Sequence, residues 1–345
     1  MSKKEKKETL KRGTVIENYQ VNDLIGQGGY GEIYTVHTLT DSTMYAMKVE
    51  ALDCEKQGLV CEIETLLKLQ DSPHFPKING YGVTDTFRYL VMTLCGLSIS
   101  NTRRLLPNRR MSLLTVTRIG LYMLDCIEDF HRHGFIHRDI KPGNFIFNDN
   151  NEIPLVLIDF GLSKCYIDPK THQPLPERPK SGFRGTSKYA SMNDHSYKDQ
   201  SQRDDLISWM YSLIELYNGR LIWSKAKDNA STRKIKQSTP DTELLSGLPT
   251  GYAEVWYYIN ALGFAEMPDF DKIRKILLQI IFDSNHSFSD PFDWESIPES
   301  KVSRVSPFVP LPKAANLVQN YFEKYGITGK HKAVQGDTKC TCCRI

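Results

Sequence analysis

Apolar and polar residues alternate along much of the chain between residues 19 and 92, and this period is typical of β-strands. Residues 55–69 differ, because Leu59, Ile63, Leu66 and Leu67 recur at helical spacing. The pattern predicts a mainly β unit that contains one amphipathic helix. Its predicted strands are residues 19–25, 32–37, 44–49, 78–83 and 87–92.

Beyond about residue 95, the apolar residues follow a helical period. One long stripe runs through residues 113–133 and is followed by Gly134, a residue type that commonly ends helices. Residues 205–218 give a second predicted helix, followed by Gly219. A β-rich part followed by a helical part predicts an α+β chain of two lobes, with the boundary near residues 93–97.

Composition sets the broad class of the protein. Of the 345 residues, 40% are hydrophobic and 25% are charged, which favours a folded chain over a disordered one. A formal charge of only +3 gives little support to nucleic-acid binding. No apolar run approaches the roughly 18 residues that cross a bilayer, and the charged residues 1–7 are unlike a secretory signal. We therefore expect no transmembrane segment, reduced cysteines and a cytoplasmic location, with the nucleus as an additional one.

A glycine cluster, formed by Gly26, Gly28, Gly29 and Gly31, lies between two predicted strands. Glycine lets backbone N–H groups approach phosphate oxygens closely, since no Cβ intervenes. A dinucleotide-binding turn would require a helix to begin here, whereas residues 32–37 favour a strand. The cluster therefore indicates a hairpin, either one that covers phosphates or an ordinary glycine-rich turn.

Lys48 ends an apolar strand pattern, and Glu62 follows on the predicted helix. A strand lysine paired with a helix glutamate would hold its ammonium toward nucleotide phosphates. Glu55 and Glu64 compete for this role, and Glu62 is preferred because its neighbours place it toward the sheet. A solvent-facing lysine is the alternative.

The strongest chemical signal is the segment HRDIKPGN at residues 137–144. Asp139 can accept a proton from a hydroxyl, Lys141 can contact a transferred phosphate, and Asn144 can bind a divalent metal. The apolar residues 155–158 then lead into the sequence DFG at residues 159–161. We expect a buried strand that delivers Asp159 to the same metal site.

These motifs resemble those of eukaryotic protein kinases, and the chain is similar to the casein kinase I group, nearest its tau-tubulin kinase branch. The likeness covers about residues 19–298 and includes FRGTSKYAS at 183–191, RDDL at 203–206 and FDWE at 292–295. It implies the two-lobed protein kinase fold, with a small, mostly β N-lobe that holds one helix and a larger, mostly α C-lobe.

The resemblance implies ATP and Mg²⁺ as cofactors and assigns roles to matching residues. Asp139 would be the catalytic base, Asn144 and Asp159 the Mg²⁺ ligands, and Asp205 an anchor beneath the catalytic loop. The other implied catalytic residues are Lys48, Glu62, Lys141 and Thr186, with Thr186 bracing Asp139. The implied ATP contacts are Ile25, Gly26, Gly28, Gly29, Gly31, Ile33, Ala46, Lys48, Met92, Thr93, Leu94, Cys95 and Asp159, with Met92 as gatekeeper and residues 93–95 as hinge.

The implied reaction is transfer of the γ-phosphoryl group of Mg-ATP to serine or threonine hydroxyls of proteins, because Lys141-Pro142 resembles serine/threonine kinases. A pseudokinase scaffold and a small-molecule kinase are the rival interpretations. The Ala-Pro-Glu that closes most activation segments is replaced by ASMN at residues 190–193, as in the casein kinase I group. Control by a phosphorylated loop is therefore not expected.

Arg138, Lys164 and Lys188 match basic positions that form an anion site in the casein kinase I group. Clustered cations favour carboxylate or phosphate groups, which would favour acidic or phospho-primed substrates. In the alternative interpretation the three cations are only solvated, or Arg138 folds the activation segment internally.

The predicted organisation is a charged flexible tail at residues 1–18, a kinase domain at 19–298 and a C-terminal tail at 299–345. The domain divides into an N-lobe at 19–92, a hinge at 93–97 and a C-lobe at 98–298. Cys340, Cys342 and Cys343 could be palmitoylated and allow membrane association, while an unmodified tail and zinc binding with His331 are the alternatives. We expect a monomer that acts on protein substrates and does not bind nucleic acid.

Overall fold

The N-terminal lobe is built from antiparallel strands and one helix. The computed structural model describes residues 9–28, 31–54, 57–150, 152–168, 170–171, 173–305, 307, 309–317 and 321–325. The elements of this lobe are β1 (Val15–Ile16), β2 (Tyr19–Gly28), β3 (Gly31–Thr38), β4 (Met44–Ala51), α1 (Leu59–Leu67), β5 (Ile78–Val83) and β6 (Phe87–Thr93). They form one six-stranded sheet in the order β1-β2-β3-β4-β6-β5, and α1 contacts β5 and β6.

The alternation of apolar residues explains why this sheet has two buried faces. One face carries a cluster of its own that includes Tyr34, Val36 and Met47, all less than 2% exposed. On the other face, Leu90 and Met92 join the core that continues into the C-terminal lobe. The sheet is thereby fixed against the C-terminal lobe along the face that carries the predicted nucleotide contacts.

Helix α1 begins where a buried carboxylate accepts its first N–H groups. Glu50, at the end of β4, is 1% exposed and accepts hydrogen bonds from Gly58 N at 2.7 Å and Leu59 N at 3.0 Å. Unpaired N–H groups at a helix start carry partial positive charge, so a carboxylate stabilises this end. The orientation of α1 is thus tied to β4.

The C-terminal lobe is mainly helical. Its helices are α2 (Ile99–Thr102), α3 (Leu113–Arg132), α4 (Met192–His195), α5 (Gln202–Asn218), α6 (Asn229–Ser238), α7 (Asp241–Leu244), α8 (Thr250–Ala261), α9 (Phe270–Asp283), α10 (Glu299–Val305) and α11 (Tyr321–Lys324). Short strands are β7 (Phe135–Ile136), β8 (Phe145–Phe147), β9 (Leu155–Leu157) and β10 (Lys164–Cys165), and 3-10 turns lie at Arg103–Leu105, Pro107–Arg109, Asp293–Ser296 and Ala314–Asn316.

Helices α3 and α5 pack together at a glycine. A Cβ on Gly120 would lie 2.9 Å from Leu213 Cδ1, and the carbonyl of Gly120 accepts a hydrogen bond from Trp209 Nε1 at 3.0 Å. Helix α5 begins at Gln202, three residues before its predicted start, because Asp204 accepts a hydrogen bond from the N–H of Ser201 and caps the first turn. The first turn of α5 lies against the backbone of residues 137 and 138.

The predicted flexible tail at residues 1–18 is wrong for its described part, residues 9–18. Leu10 and Ile16 are 5% and 7% exposed, and β1 pairs with β2. The hydroxyl of Tyr34 accepts a hydrogen bond from the N–H of Leu10 at 3.1 Å. These two apolar side chains, the pairing of β1 with β2 and the hydrogen bond to Tyr34 hold this segment on the sheet. Residues 1–8 lie outside the described residues.

The predicted end of the domain at residue 298 is also too early. Leu311, Ala314 and Tyr321 are buried, and Trp294 Nε1 donates a hydrogen bond to the carbonyl of Pro312 at 2.8 Å. The described part of residues 299–325 therefore belongs to the C-terminal lobe. Cys340, Cys342, Cys343 and His331 lie outside the described residues. In the part of the chain that is described, no helix has both the length and the apolar character to span a membrane.

The observed architecture confirms the predicted α+β fold of two lobes. Each strand and helix expected from periodicity is present, and the one helix of the N-terminal lobe is α1. The boundary between the lobes follows β6, which ends at Thr93.

Candidate active site

The sheet and α1 are joined by a buried ion pair. Lys48 lies on β4, and its Nζ is 2.5 Å from Glu62 Oε2 and 3.0 Å from Asp159 Oδ1. Glu62 is 2% exposed, whereas Glu64 on the same helix is exposed to solvent. The partner preferred from the sequence is the one that makes the contact, and the competing Glu55 lies outside the described residues.

Both ends of the contact between Lys48 and Asp159 are held in their charged forms. Burial alone would lower the pKa of Lys48, but the carboxylates of Glu62 and Asp159 raise it above its ordinary value. Burial alone would raise the pKa of Asp159, but Lys48 and Lys141 lower it. Removing one partner of a buried ion pair costs about 3–5 kcal/mol, so this network holds α1 and Asp159 in one arrangement.

Asp205 holds the start of the catalytic loop, residues 137–144. Its carboxylate accepts hydrogen bonds from the N–H groups of His137 and Arg138, each at 2.8 Å, and it contacts His131 Nε2 at 2.9 Å. Arg138 has a φ of 66°, a left-handed conformation that is costly for a residue with a side chain. The two hydrogen bonds to Asp205 stabilise this conformation, so the predicted anchor beneath the loop is present.

Asp139 has one paired and one unpaired carboxylate oxygen. Its Oδ2 lies 2.5 Å from Lys141 Nζ, while its buried Oδ1 has no hydrogen-bond partner among the described residues. Asn144 Nδ2 donates a hydrogen bond to the carbonyl of Asp139 at 3.0 Å and so closes the loop. A buried, unpaired carboxylate oxygen is suited to accept a proton from a hydroxyl.

The expected brace between Thr186 and Asp139 is indirect. Lys141 lies between them, with Nζ 3.3 Å from Thr186 Oγ1, because an ammonium can donate to a hydroxyl and a carboxylate at once. Gly185, the residue before Thr186, allows the backbone here to approach the catalytic loop closely. Gly185 has a φ of +97°, and a Cβ there would lie 2.3 Å from the carbonyl oxygen of Arg138. Only glycine permits this approach.

Aromatic packing places Asp159 at the end of β9. The ring of Phe160 stacks on Phe130 with centroids 5.3 Å apart and contacts the ring of His137 at 5.8 Å. His137 Nε2 in turn lies 3.0 Å from the carbonyl oxygen of Ile158. The end of β9, the catalytic loop and Phe160 therefore pack together, and this packing holds Asp159 beside Lys48.

The glycine cluster forms a hairpin between β2 and β3, as predicted. Gly26 pairs with Ile33 and Gly28 with Gly31, and no helix begins at the glycines in the part that is described. Gly31 has a φ of +114°, and a Cβ there would lie 2.1 Å from the carbonyl oxygen of Val49. A Cβ on Gly28 would meet open space. Gly29 lies outside the described residues.

The expected adenine end of the site lies where β6 leaves the sheet. Ala46 of β4 pairs with Met92, both nearly buried, and β6 ends at Thr93. Burial raises the pKa of Cys95 to about 12, so its thiol stays neutral. The remaining predicted contacts differ in exposure, with Ile25 exposed and Ile33 and Leu94 half-buried.

The donor set beside Lys48 suits a hard divalent cation. Asp159 offers carboxylate oxygens, and the side-chain nitrogen of Asn144 is engaged by the loop, which leaves its amide oxygen for a ligand. Carboxylate and amide oxygens are the ligands that Mg²⁺ prefers in proteins, often together with substrate phosphates. The residues present therefore fit the metal that the resemblance implies.

The three residues of the predicted anion site have separate partners. Arg138 donates to the backbone carbonyls of Leu162 and Ser163, Lys164 pairs with Asp199 at 2.7 Å, and Lys188 pairs with Glu215 of α5. Lys188 shares no acidic partner with the other two in the described part of the chain. Arg138 therefore makes the internal contacts that the alternative interpretation expects.

Two further arginines accompany Arg138. Burial lowers the pKa of Arg138, and repulsion from Arg178 and Arg184 lowers it further. Asp199 contacts both Lys164 and Arg178, whose hydrogen bonds outweigh burial and lower its pKa. We call Arg138, Lys164, Arg178 and Arg184 the basic group. Arg138 and Arg184 line an open cleft of about 650 Å³ next to α1.

Sequence reasoning missed the acidic residues that hold these cations. Asp199 and Glu215 are 0% and 1% exposed. No local motif marks them, because each partner lies far away in the chain. The one available signal is an acidic residue within an apolar segment, as Glu215 is within the stripe of α5.

Comparison with known proteins agrees with this geometry. A family description for the protein kinase domain matches residues 19–260. A protein of Dictyostelium discoideum named a probable serine/threonine-protein kinase is 34% identical over 273 residues, 79% of this chain and 55% of that protein. Casein kinase I homolog 1 of Saccharomyces cerevisiae is 31% identical over 295 residues, 82% of this chain and 54% of that protein.

The chain spans about half the length of these curated relatives. The family match nevertheless covers most of the described residues and runs from β2 to the penultimate residue of α8. Together with the buried contact of Lys48 and Glu62 and the loop around Asp139, it shows that the chain belongs to the protein kinase family.

Proposed function

We propose that this protein is a serine/threonine kinase that transfers the γ-phosphoryl group of Mg-ATP to protein hydroxyls. The observation that carries the proposal is the contact of Lys48 with both Glu62 and Asp159. It joins β4, α1 and the end of β9 in one buried charged network, which is costly to fold unless every charge is paired. A binding scaffold has no need of such a network, so the arrangement favours catalysis over the pseudokinase alternative.

Positioning and charge stabilisation would perform the chemistry. Asp139 accepts the proton of the substrate hydroxyl at its unpaired Oδ1. Lys141, held by Asp139 and Thr186, stabilises negative charge on the transferred phosphoryl group. Lys48 binds the nucleotide phosphates, and Glu62 keeps its ammonium in place.

Asn144 and Asp159 are the residues that would hold Mg²⁺. When bound, the ion neutralises phosphate charge and polarises the phosphoryl oxygens. The chain's own contribution is to keep Asp159 ionised through Lys48 and to keep the Asn144 amide oxygen free for the ion.

Serine and threonine are the proposed acceptors, and the casein kinase I group is the proposed subfamily. Lys141 lies against the base Asp139, the arrangement expected from the Lys-Pro sequence after the base. The names of both relatives support the serine/threonine class, and the yeast relative supports the subfamily. Phosphoamino-acid analysis of a phosphorylated protein substrate tests this point, and phosphotyrosine as the sole product would contradict it.

We also propose a preference for acidic or phospho-primed substrates, carried by the basic group with Lys188 as a separate contributor. In the basic group, Lys164 and Arg178 share the carboxylate of Asp199, while the side chains of Arg138 and Arg184 form no ion pair with a carboxylate in the described part of the chain. The positive charge that remains would favour an incoming phosphate through charge-assisted hydrogen bonds.

This preference can be tested with peptide substrates that differ only in a phosphorylated, acidic or neutral residue beside the acceptor. Arg184→Ala and Lys188→Ala should each reduce the advantage of the charged peptides. Lys198→Ala, at an exposed lysine of the same segment, is the matched control and should leave it unchanged. An advantage that survives both variants would contradict the proposal.

The cellular location and the oligomeric state of the protein are proposed from the sequence. We propose a monomeric kinase of the cytoplasm and nucleus, whose Cys340, Cys342 and Cys343 allow palmitoylation and membrane association. Fractionation of cells that express the wild type or a variant with all three cysteines changed to serine tests the membrane part. Equal soluble fractions of the wild type and the variant would contradict membrane association through these cysteines.

A further inference from the structure

A buried lysine outside the nucleotide cleft holds the backbone that follows Thr186. Lys236, on α6, is 7% exposed. Its Nζ donates hydrogen bonds to the backbone carbonyls of Ser187 at 3.0 Å and Ala190 at 2.6 Å. The ammonium of Lys236 therefore reaches the segment that immediately follows Thr186.

Two aromatic rings complete this contact. Lys236 Nζ lies 4.6 Å from the ring centroid of Tyr211 and 5.0 Å from that of Trp223. Trp223 Nε1 also donates a hydrogen bond to the carbonyl of Lys188 at 2.8 Å. Three carbonyls between residues 187 and 190 are thus held by two side chains from later in the chain. We call residues 187–190 the acceptor segment.

A buried lysine in this place is costly for folding. Burial lowers the pKa of Lys236 to about 7, and the nearby carboxylate of Asp194 only partly offsets this effect. A methionine or leucine would fill an aromatic pocket without desolvating a charge. Cation–π contacts and hydrogen bonds from a charged donor recover part of that cost, and both require the ammonium.

The acceptor segment continues directly into the catalytic groups. Thr186 precedes it and contacts Lys141, which contacts Asp139. Lys188, within the segment, forms its ion pair with Glu215 while its carbonyl is held by Trp223. A protein chain that presents a hydroxyl to Asp139 has to pass beside this segment, so the position of its backbone affects how the substrate chain binds.

We propose that Lys236 is a positioning residue for substrate binding, which together with Trp223 holds the acceptor segment in the conformation that receives the protein substrate. This inference rests on the proposed function. Lys236 makes no contact with the predicted ATP or Mg²⁺ residues in the described part of the chain. Its loss should therefore weaken binding of the protein substrate and leave binding of ATP unchanged.

The test is steady-state kinetics of Lys236→Met with a peptide substrate and with ATP varied separately. The KM for peptide should rise at least tenfold, because the two hydrogen bonds from this charged donor to the acceptor segment are lost, while the KM for ATP stays the same. Lys236→Arg keeps the charge and the donors and should restore most of the peptide affinity. Lys234→Met, at an exposed lysine of the same helix, is the matched control and should behave as the wild type.

A second variant covers failure of Lys236→Met to fold. Trp223→Phe keeps an aromatic ring but removes the donor to the carbonyl of Lys188, so it should also raise the KM for peptide and spare the KM for ATP. An unchanged KM for peptide in the folded variants, or equal changes in both KM values, would overturn the inference. A wild type that transfers no phosphate would instead contradict the proposed function, and the inference with it.

Discussion

Lys48 and Asp159 lie 111 residues apart in the chain, yet their side chains form an ion pair at 3.0 Å. The same ammonium contacts Glu62, so one cation links the sheet, α1 and the end of β9. Because the contact is buried, it selects the orientation in which the proposed catalytic groups face the same cleft.

The first prediction separates the two glutamates of α1. Glu62→Gln should lower kcat at least tenfold and lower stability, because it removes the charge that holds Lys48. Glu64→Gln, on the exposed face of the same helix, is the control and should change neither quantity. Kinetics and thermal unfolding of both variants provide the measurement, and similar losses in the two variants would contradict the assignment.

The second prediction concerns two glycines of the hairpin between β2 and β3. Gly31→Ala should destabilise the protein by about 1–3 kcal/mol, because φ is positive and a Cβ would collide with the carbonyl of Val49. Gly28→Ala meets open space and should leave the free energy of unfolding unchanged. Chemical denaturation of both variants checks the difference. Equal stability of the two variants would show that the hairpin has another backbone conformation.

The third prediction concerns pH and the buried carboxyl group of Asp194. Burial raises its pKa to about 7, and the neighbouring Asp204 adds to this, while the N–H of Arg184 acts in the opposite direction. Between pH 4 and pH 7 the folded state therefore binds a proton that the unfolded state has lost. The stability contributed by this proton falls as pH rises, by up to about 1.4 kcal/mol per pH unit.

Asp194→Asn removes this titration while keeping the shape of the side chain. The free energy of unfolding of the variant, measured relative to wild type, should therefore rise as pH increases from 4 to 7. Denaturation curves at several pH values provide the measurement. A difference that stays constant over this range would show that Asp194 is already ionised in the folded protein at pH 4.

The fourth prediction concerns the end of the folded domain. A chain that stops at residue 298 should be less stable than one that stops at residue 325 by about 3 kcal/mol or more. It loses the buried side chains of Val309, Leu311 and Tyr321 and the hydrogen bond between Trp294 and Pro312. Thermal unfolding of the two chains tests this, and equal stability would place the domain end where the sequence predicts it.

Periodicity in the sequence predicts the long elements well, because each of them buries one face. It does not predict β1 or the packing of residues 309–317. A strand of two residues carries no period, and Val309, Leu311 and Ala314 lie among prolines that prevent regular structure. The side chains of β1 and of residues 309–317 pack against other elements of the fold, and this packing leaves no local pattern in the sequence.

In the candidate site, too, some residues can be predicted from the local sequence and others cannot. Local motifs identify Asp139, Asn144 and Asp159. The first two lie in the segment HRDIKPGN at residues 137–144, and Asp159 follows the apolar strand at residues 155–158. The partners of the cations, such as Asp199 and Glu215, come from distant segments and become visible only when the chain has folded. Lys236 belongs to this second class, since its charge has no sequence context that distinguishes it from an exposed lysine.

The central claim is that Asp159 serves a phosphoryl-transfer site. The most direct measurement is transfer of radiolabelled γ-phosphate from ATP to a protein substrate in the presence of Mg²⁺, with wild type and Asp159→Asn compared at equal concentration and equal folded fraction. We predict labelled phosphoserine or phosphothreonine with the wild type and a loss of at least a hundredfold in rate with the variant. No transfer by the wild type, or transfer that survives the substitution, would contradict the account.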